Sequence, residues 1–276
     1  MRANGSARIW ARGTALVVVL LAAGVALAGA TVVQKEKLRV TVLGQVKPYR
    51  LPRSTPAPIA VFVAGHIGMT DRTTPPQLTR LDIRLNRHGR LQSRGLPTCR
   101  INQIQPASTA LALSRCGDAV VGSGQFWAHI ILPGQEPYPT SGRLLIFNGR
   151  SSCASGAEGC RSRPVLFAHI FSTRPFATSF VISFAIRPLR GDGTYGTELS
   201  ASLPQALGTW GYVDRIKLTL RRKYRDHGQQ RSYFNAACPA PAGLSRASFN
   251  LARADFHFVE GRMIKVPVEK DCRVKP

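Results

Sequence analysis

From Ile59 onward the chain alternates apolar and polar residues with a period of two, and that rhythm excludes most architectures other than antiparallel β. Leu81, Ile83 and Leu85 alternate with Asp82, Arg84 and Asn86. Phe180, Ile182, Phe184 and Ile186 form one face, with Ser183 and Arg187 on the other. Thr197, Leu199, Ala201 and Leu203 oppose Glu198, Ser200 and Ser202, and Ile216, Leu218 and Leu220 oppose Lys217, Thr219 and Arg221. Such segments make half-buried strands, whereas Phe126–Leu132 and Val165–Phe171 are apolar on both faces and require cover on both sides.

Turn chemistry punctuates these runs. Asn148-Gly149 follows Leu144–Phe147 and reads as a hairpin turn. Asp226-His-Gly-Gln229 and Glu260-Gly261-Arg262 separate further strand pairs. One short helix is expected, capped by Ser108 or Thr109, running through Ala110–Leu113 to Cys116 and stopping at Gly117. Before the body, Leu38–Val46 reads as a strand and Pro48–Pro58 as a stiff extended connection. The expected organisation is a leader over 1–30, an N-terminal strand with a Pro-rich segment over 31–57, and one β-rich domain over 58–276. The fold class is mainly β, an antiparallel sandwich or a partly open barrel with one short helix.

The leader assigns a compartment. Arg2, Arg8 and Arg12 precede an uncharged apolar run from Thr14 that ends in Ala28-Gly29-Ala30, the layout of a secretory signal peptide cut between Ala30 and Thr31. The alternative is an uncleaved anchor, because the run only just reaches the roughly 17–25 residues that span a bilayer. Both place the bulk of the chain outside the cytoplasm. All 6 cysteines lie beyond the leader: Cys99, Cys116, Cys153, Cys160, Cys238 and Cys272. They are expected in structural disulfides, and proximity along the chain favours 99–116, 153–160 and 238–272 among the possible pairings.

Lys and Arg number 38 against 14 Asp and Glu, a net charge of +24 that attracts anionic surfaces. Lys217, Arg221, Lys223 and Arg225 align along one strand face, with Arg231 after the turn. That row is the candidate anionic-ligand site, and Tyr224, Tyr233 and Phe234 could stack on rings beside it. Its plain alternative is a solvated sheet face with an edge protected by charge. Phe126-Trp-Ala-His-Ile130 and Leu166-Phe-Ala-His-Ile170 echo each other. If their strands were neighbours, His129 and His169 would form a polar site, although a core histidine bonded to backbone is the commoner outcome. Asp192, Glu198 and Asp214 are candidate acids, and Arg190-Gly-Asp192 reads as an ordinary turn.

No nucleophile elbow, phosphate loop, dinucleotide fingerprint, EF-hand or zinc spacing occurs, so neither a metal nor a cofactor is expected. Leu51-Pro-Arg53, Asn86-Arg-His-Gly-Arg90, Gly95-Leu-Pro97 with Cys99, Cys116 followed by Val121-Gly122 and Gly124, Ser202-Leu-Pro204, Trp210-Gly-Tyr-Val213 and Ser232-Tyr-Phe234 with Cys238-Pro-Ala-Pro241 form a further pattern. Together they resemble a group of exported β-rich proteins of soil actinobacteria that has no assigned activity. The resemblance implies export and a shared fold over about residues 50–272, and transfers no site residues. The function expected is that of a secreted or envelope-associated, non-enzymatic domain contacting an anionic wall polymer or lipid headgroup. A carrier of an apolar, lipid-like ligand and a wall-polymer hydrolase are the rivals, and nucleic acid is not an expected partner.

Overall fold

The computed structural model describes residues 29–131, 134–151, 161–174, 176–203 and 211–275. The early strands are β1 (Ala30–Lys35), β2 (Leu38–Lys47), β3 (Arg50–Leu51), β4 (Ala57–Pro58), β5 (Ala60–Met69), β6 (Leu78–Asn86) and β7 (Gly89–Leu91). Helices α1 (Ile101–Ile104) and α2 (Thr109–Cys116) follow. Then come β8 (Val120–Ile130), β9 (Tyr138–Arg150), β10 (Pro164–Ser172), β11 (Thr178–Pro188), β12 (Tyr195–Ser202) and β13 (Gly211–Leu220). The last strands are β14 (Lys223–Asp226), β15 (Gln229–Ser232), β16 (Phe234–Ala236), β17 (Arg246–Phe258) and β18 (Met263–Val274).

One 13-stranded sheet dominates, in the order β1-β2-β5-β13-β8-β9-β10-β11-β12-β6-β17-β18-β3. Every neighbouring pair is antiparallel except the short β18–β3 contact. The mainly β, partly open barrel expected from the alternation is therefore what forms. Strand twist curls the sheet until its first strands meet its last. There Leu38, Val40 and Val42 of β2 pack on Ala254, Phe256 and Phe258 of β17 and on Ile264, Val266 and Val268 of β18. This seam is held by side chains, not by a hydrogen-bonded ladder. It is tight at Gly44, where an added Cβ would lie 2.8 Å from a Val268 side-chain methyl.

The interior is a packed core. Phe126, Ala128, Leu144, Ile146, Leu166, Ala168, Ile170, Ile182, Leu199 and Ala201 point inward and meet Tyr224, Tyr233 and Phe234. Strands β9 and β10 are buried on both faces, because Leu145, Phe147, Val165 and Phe167 lie under Ile104, Ala107, Ala112 and Cys116 of the helical segment. That cover explains why their apolar runs do not alternate. Ser108 caps α2, its hydroxyl accepting from the Leu111 N–H at 3.2 Å, and Cys116 at its end bonds Cys99. Cys238 bonds Cys272, so two of the favoured pairings form, while Cys153 and Cys160 lie outside the described residues.

Two local expectations change. Asn148-Gly149 is not a turn but lies inside β9. Asn148 is buried and donates from Nδ2 to the Pro97 carbonyl at 2.9 Å. Gly149 is needed because the Phe167 ring sits 2.3 Å from where its Cβ would be. The Pro-rich connection is not free either. Leu51 is buried, β3 pairs with β18, β4 pairs with β16, and the Arg53 guanidinium donates to the carbonyls of Ala240, Pro241 and Leu244.

Because Phe147 is fully buried between the sheet and the helices, Phe147→Ala should cost about 3–5 kcal/mol in urea unfolding. The exposed Arg143 two pairs along the same strand should change stability by no more than about 0.5 kcal/mol when replaced by Ala. Equal costs for the two would contradict the double-sided burial of β9.

Candidate functional site

The expected basic row does not lie on one strand. β13 ends at Leu220, and the chain leaves the sheet at Arg221 and Arg222. Arg221 still donates its backbone N–H to the Val121 carbonyl at 2.9 Å, and the Arg222 guanidinium donates to the Asp118 carbonyl at 2.9 Å. Lys223 and Arg225 then belong to a separate hairpin, β14 with β15. Lys217 stays on the main sheet. Arg231 stands 2.8 Å from Asp226 and is only a quarter exposed.

The aromatic partners foreseen for that row are core residues. Tyr224 is buried and donates its hydroxyl to the carbonyls of Gln92 and Arg94 at 3.0 and 2.8 Å. Tyr233 is fully buried and Phe234 nearly so. Burial pushes the Tyr233 phenol well above its ordinary range and keeps it neutral. These rings stack inward because alternation through β14 turns Lys223 and Arg225 out and Tyr224 in.

A different assembly forms on the outer face of the main sheet. Strands β13 and β8 pair with Arg215 opposite Trp127 and Lys217 opposite Gln125. Phe126 and Ala128 point inward, so Trp127 points out, with the Arg215 guanidinium 5.5 Å and the Lys217 ammonium 5.9 Å from its ring centre. Cation–π contacts of this length contribute about 0.5–1 kcal/mol each at exposed sites. Register extends the patch across the strands. His66 of β5 lies opposite Arg215, and Arg143 of β9 lies opposite Gln125. On the far side Lys47 of β2 sits 5.5 Å above the Phe62 ring. Among the described residues, Arg39, Lys47, Arg143, Arg215 and Lys217 form no ion pair.

The opposite wall is built differently. On β6, β12 and β17, Asp82 and Asp255 lie directly opposite each other and are both buried. Arg80 pairs with Asp82 at 2.9 Å and Arg84 with Glu198 at 3.1 Å. Arg253 clasps Asp255 with two donors at 2.9 and 3.0 Å, and His257 stands 3.1 Å from Asp82. Burial works to raise the Asp82 carboxyl, but hydrogen bonds from Ser200 and Arg80 and the nearby His257 outweigh it and hold it below its ordinary value. Here Arg80, Arg84 and Arg253 are each neutralised in place by an acid beside them.

The two histidines do not meet. β9 lies between their strands, with His129 opposite Pro139 and His169 opposite Leu145. That offset is about 20 Å along the strand at roughly 3.3 Å per residue. His129 stacks on Tyr212 at 4.9 Å and stands 3.6 Å from Asp214, which is the extra residue of a bulge in β13. This cluster lies on the open sheet face, not in a cleft. His169 is fully buried beneath the helical segment, its Nε2 3.0 Å from the Ala107 carbonyl and its ring edge-on to Phe147. Asp192 accepts from the N–H groups of Thr194 and Tyr195 and shapes its turn, and Glu198 is held by Arg84. Among the described residues no group of His, Cys, Asp and Glu is placed to hold a metal. No protein-family model, curated protein or solved structure matches the chain, so the resemblance noted above rests on those strings alone.

Sequence reasoning found Lys217 but missed Trp127, Arg215 and Arg143 as its companions. Alternation placed Lys217 outward, but Phe126–Leu132 was expected to be covered on both faces, whereas Trp127 and His129 lie on a partly exposed face of β8. What it lacked was the pairing of β8 with β13, some ninety residues apart along the chain.

Burial lowers the His169 pKa, against the opposing bonds from the Ala107 carbonyl and its own backbone. The unfolded chain therefore takes up this proton near pH 6.5 while the folded chain does not. Stability is fully present above that pH and falls as pH drops below it, by at most about 1.4 kcal/mol per unit. His169→Gln should be costly at pH 7.5, and its cost should shrink toward pH 5.5 in urea unfolding. A cost that stays constant with pH would show that His169 takes up its proton over the same pH range in the folded as in the unfolded chain.

Proposed function

We propose that this chain is a non-enzymatic β-domain working outside the cytoplasm, secreted or held at the envelope, that binds an anionic envelope component through its basic outer wall. The observation that carries the reading is Trp127 flanked by Arg215 and Lys217 on an exposed sheet face whose cations have no carboxylate partners among the described residues. Of the residues first singled out, Lys217 belongs to this wall. Arg221, Lys223 and Arg225 form an exposed cationic edge nearby, and Arg231 holds the hairpin through Asp226.

The physical logic is a contrast between the two walls. Where Arg80, Arg84 and Arg253 meet acids, their charge is cancelled and their donors are occupied. Where Arg39, Lys47, Arg143, Arg215 and Lys217 stand, the same side chains are free to donate to phosphate or carboxylate. The strands from β2 to β9 lie about 4.8 Å apart, which makes a curved outer face on the order of 20 Å across. A face of that width has room for an extended polymer lying across it, with rings stacking on Trp127.

The rival readings gain less. A lipid carrier was to use Phe126–Leu132 and Val165–Phe171 as cavity walls, but the described inner residues of those strands are packed in the core. A hydrolase requires free carboxylates in a cleft, whereas Asp192 and Glu198 are engaged by their own turn and by Arg84, and Asp214 with His129 lies on an open face.

The test is binding to a phosphodiester wall polymer and, separately, to vesicles rich in anionic lipid, at low and high salt. Arg215→Ala with Lys217→Ala should weaken association about thirtyfold, at about 1 kcal/mol per cation near an anionic surface. Trp127→Ala should weaken it severalfold, and raising salt should weaken it further. Wild-type association by the double variant would remove the proposal. Preference for polymer over vesicle, or the reverse, identifies the partner.

A further inference from the structure

The strands that build the basic wall, β2, β5, β13, β8 and β9, carry a single acid, Asp214. The bulge in β13 puts it on this face. Val213 lies opposite Ala128 and packs against the core, Arg215 lies opposite Trp127, and Asp214 is the extra residue between them. A bulge re-aims a side chain that strict alternation would send elsewhere. Here it sets a carboxylate beside an arginine that could cancel it.

That pairing does not form. Among the described residues Asp214 meets no lysine or arginine, and the Arg215 guanidinium lies against the Trp127 ring instead. The partner of Asp214 is His129, whose Nδ1 stands 3.6 Å from Oδ2. Tyr212 holds the imidazole in place, stacked on it at 4.9 Å with the rings 17° from parallel. Around His129 the described neighbours are Trp127 on its own strand, Tyr212, Asp214 and Arg215 on β13, and Tyr138, Pro139 and Ser141 on β9. Only Asp214 and Arg215 among them are charged, because burial, with Asp214 nearby, raises the Tyr212 phenol and keeps it neutral. His66 of β5 lies beyond Arg215 and has no acid partner among the described residues. A lysine or arginine beside Asp214 would cancel it at every working pH, whereas histidine is the side chain that changes charge between about pH 5 and 8.

From this placement we infer that anion binding on the Trp127 wall is proton-linked, with His129 and Asp214 as the switch. With a neutral imidazole, the Asp214 carboxylate stays unmatched and opposes an anion arriving at Arg215 and Trp127. With an imidazolium the pair is neutral, and the wall gains one positive charge at that place. A bound anion in turn favours the imidazolium, so ligand and proton promote each other's binding. The inference rests on the anion-binding reading of this wall and adds its regulation.

The test titrates the full chain with dextran sulfate, whose own charge is constant over the range, at about pH 5.5 and about pH 8 in the same salt. One added charge should make wild-type binding about fivefold tighter at the lower pH. His129→Gln should lose most of that difference, whereas His66→Gln should keep most of it. Asp214→Asn should bind at the higher pH about fivefold more tightly than the wild type, a gain that a misfolded variant would not show. Equal wild-type affinity at the two pH values, the full difference retained in His129→Gln, or no gain in Asp214→Asn would overturn the inference and leave the wall an anion site. Absence of wild-type binding at both pH values would remove the anion-binding reading itself, and this inference with it.

Discussion

Everything in this molecule depends on the packing of β2 against β17 and β18. A sheet of 13 strands has to bury one face, and it does so by curling until Leu38, Val40 and Val42 rest on Phe256, Ile264 and Val266. No ladder closes the ring, so the seam is only as tight as its side chains allow. Where small residues such as Gly44 meet Val268 it shuts, and where Val46 faces Phe249 it opens into a groove. The disulfide Cys238–Cys272 is placed at the same end, tying the last strand to the β16 segment where side-chain packing alone leaves a gap.

Closure also decides where charge can go. A packed interior leaves only the outside for the basic side chains of the described residues, and the chain's 14 acids are too few to match its 38 bases. The acids are not spread evenly. Asp82, Asp255 and Glu198 concentrate on the β6–β12–β17 wall and neutralise Arg80, Arg84 and Arg253 beside them. The wall formed by β2, β5, β13, β8 and β9 keeps its cations unmatched and places an aromatic ring among them. On one surface Arg80, Arg84 and Arg253 are matched by acids, and on the other Arg39, Lys47, Arg143, Arg215 and Lys217 have no carboxylate partner among the described residues.

The sheet was legible because alternation is local. Leu81, Ile83 and Leu85, and Ile216, Leu218 and Leu220, could be assigned to the core from their own spacing, and the cap at Ser108 from its own chemistry. What failed was whatever depended on a neighbour far along the chain. Asn148-Gly149 carries a turn signature, yet the loop at Pro97–Cys99 and the Phe167 ring hold it inside β9. A shared polar site at His129 and His169 required neighbouring strands, and β9 separates them, while His169 takes the commoner place of a core histidine bonded to backbone. The five-residue basic row assumed a continuous strand, and the requirement to bury Tyr224 and Tyr233 breaks that strand at Arg221. Charge pairing was the least visible feature of all, because Asp82 and Asp255 are brought together only by the β6–β17 register.

The central claim is that the two outer walls differ in kind, and backbone-amide chemical-shift mapping with a short polyphosphate chain tests it most directly. The account predicts salt-sensitive shifts confined to β5, β13, β8 and β9, centred on Trp127, Arg215 and Lys217, with β6 and β17 silent. Shifts of equal size around Asp82, Arg84 and Arg253 would show that the paired wall is as receptive as the unpaired one, and would contradict it.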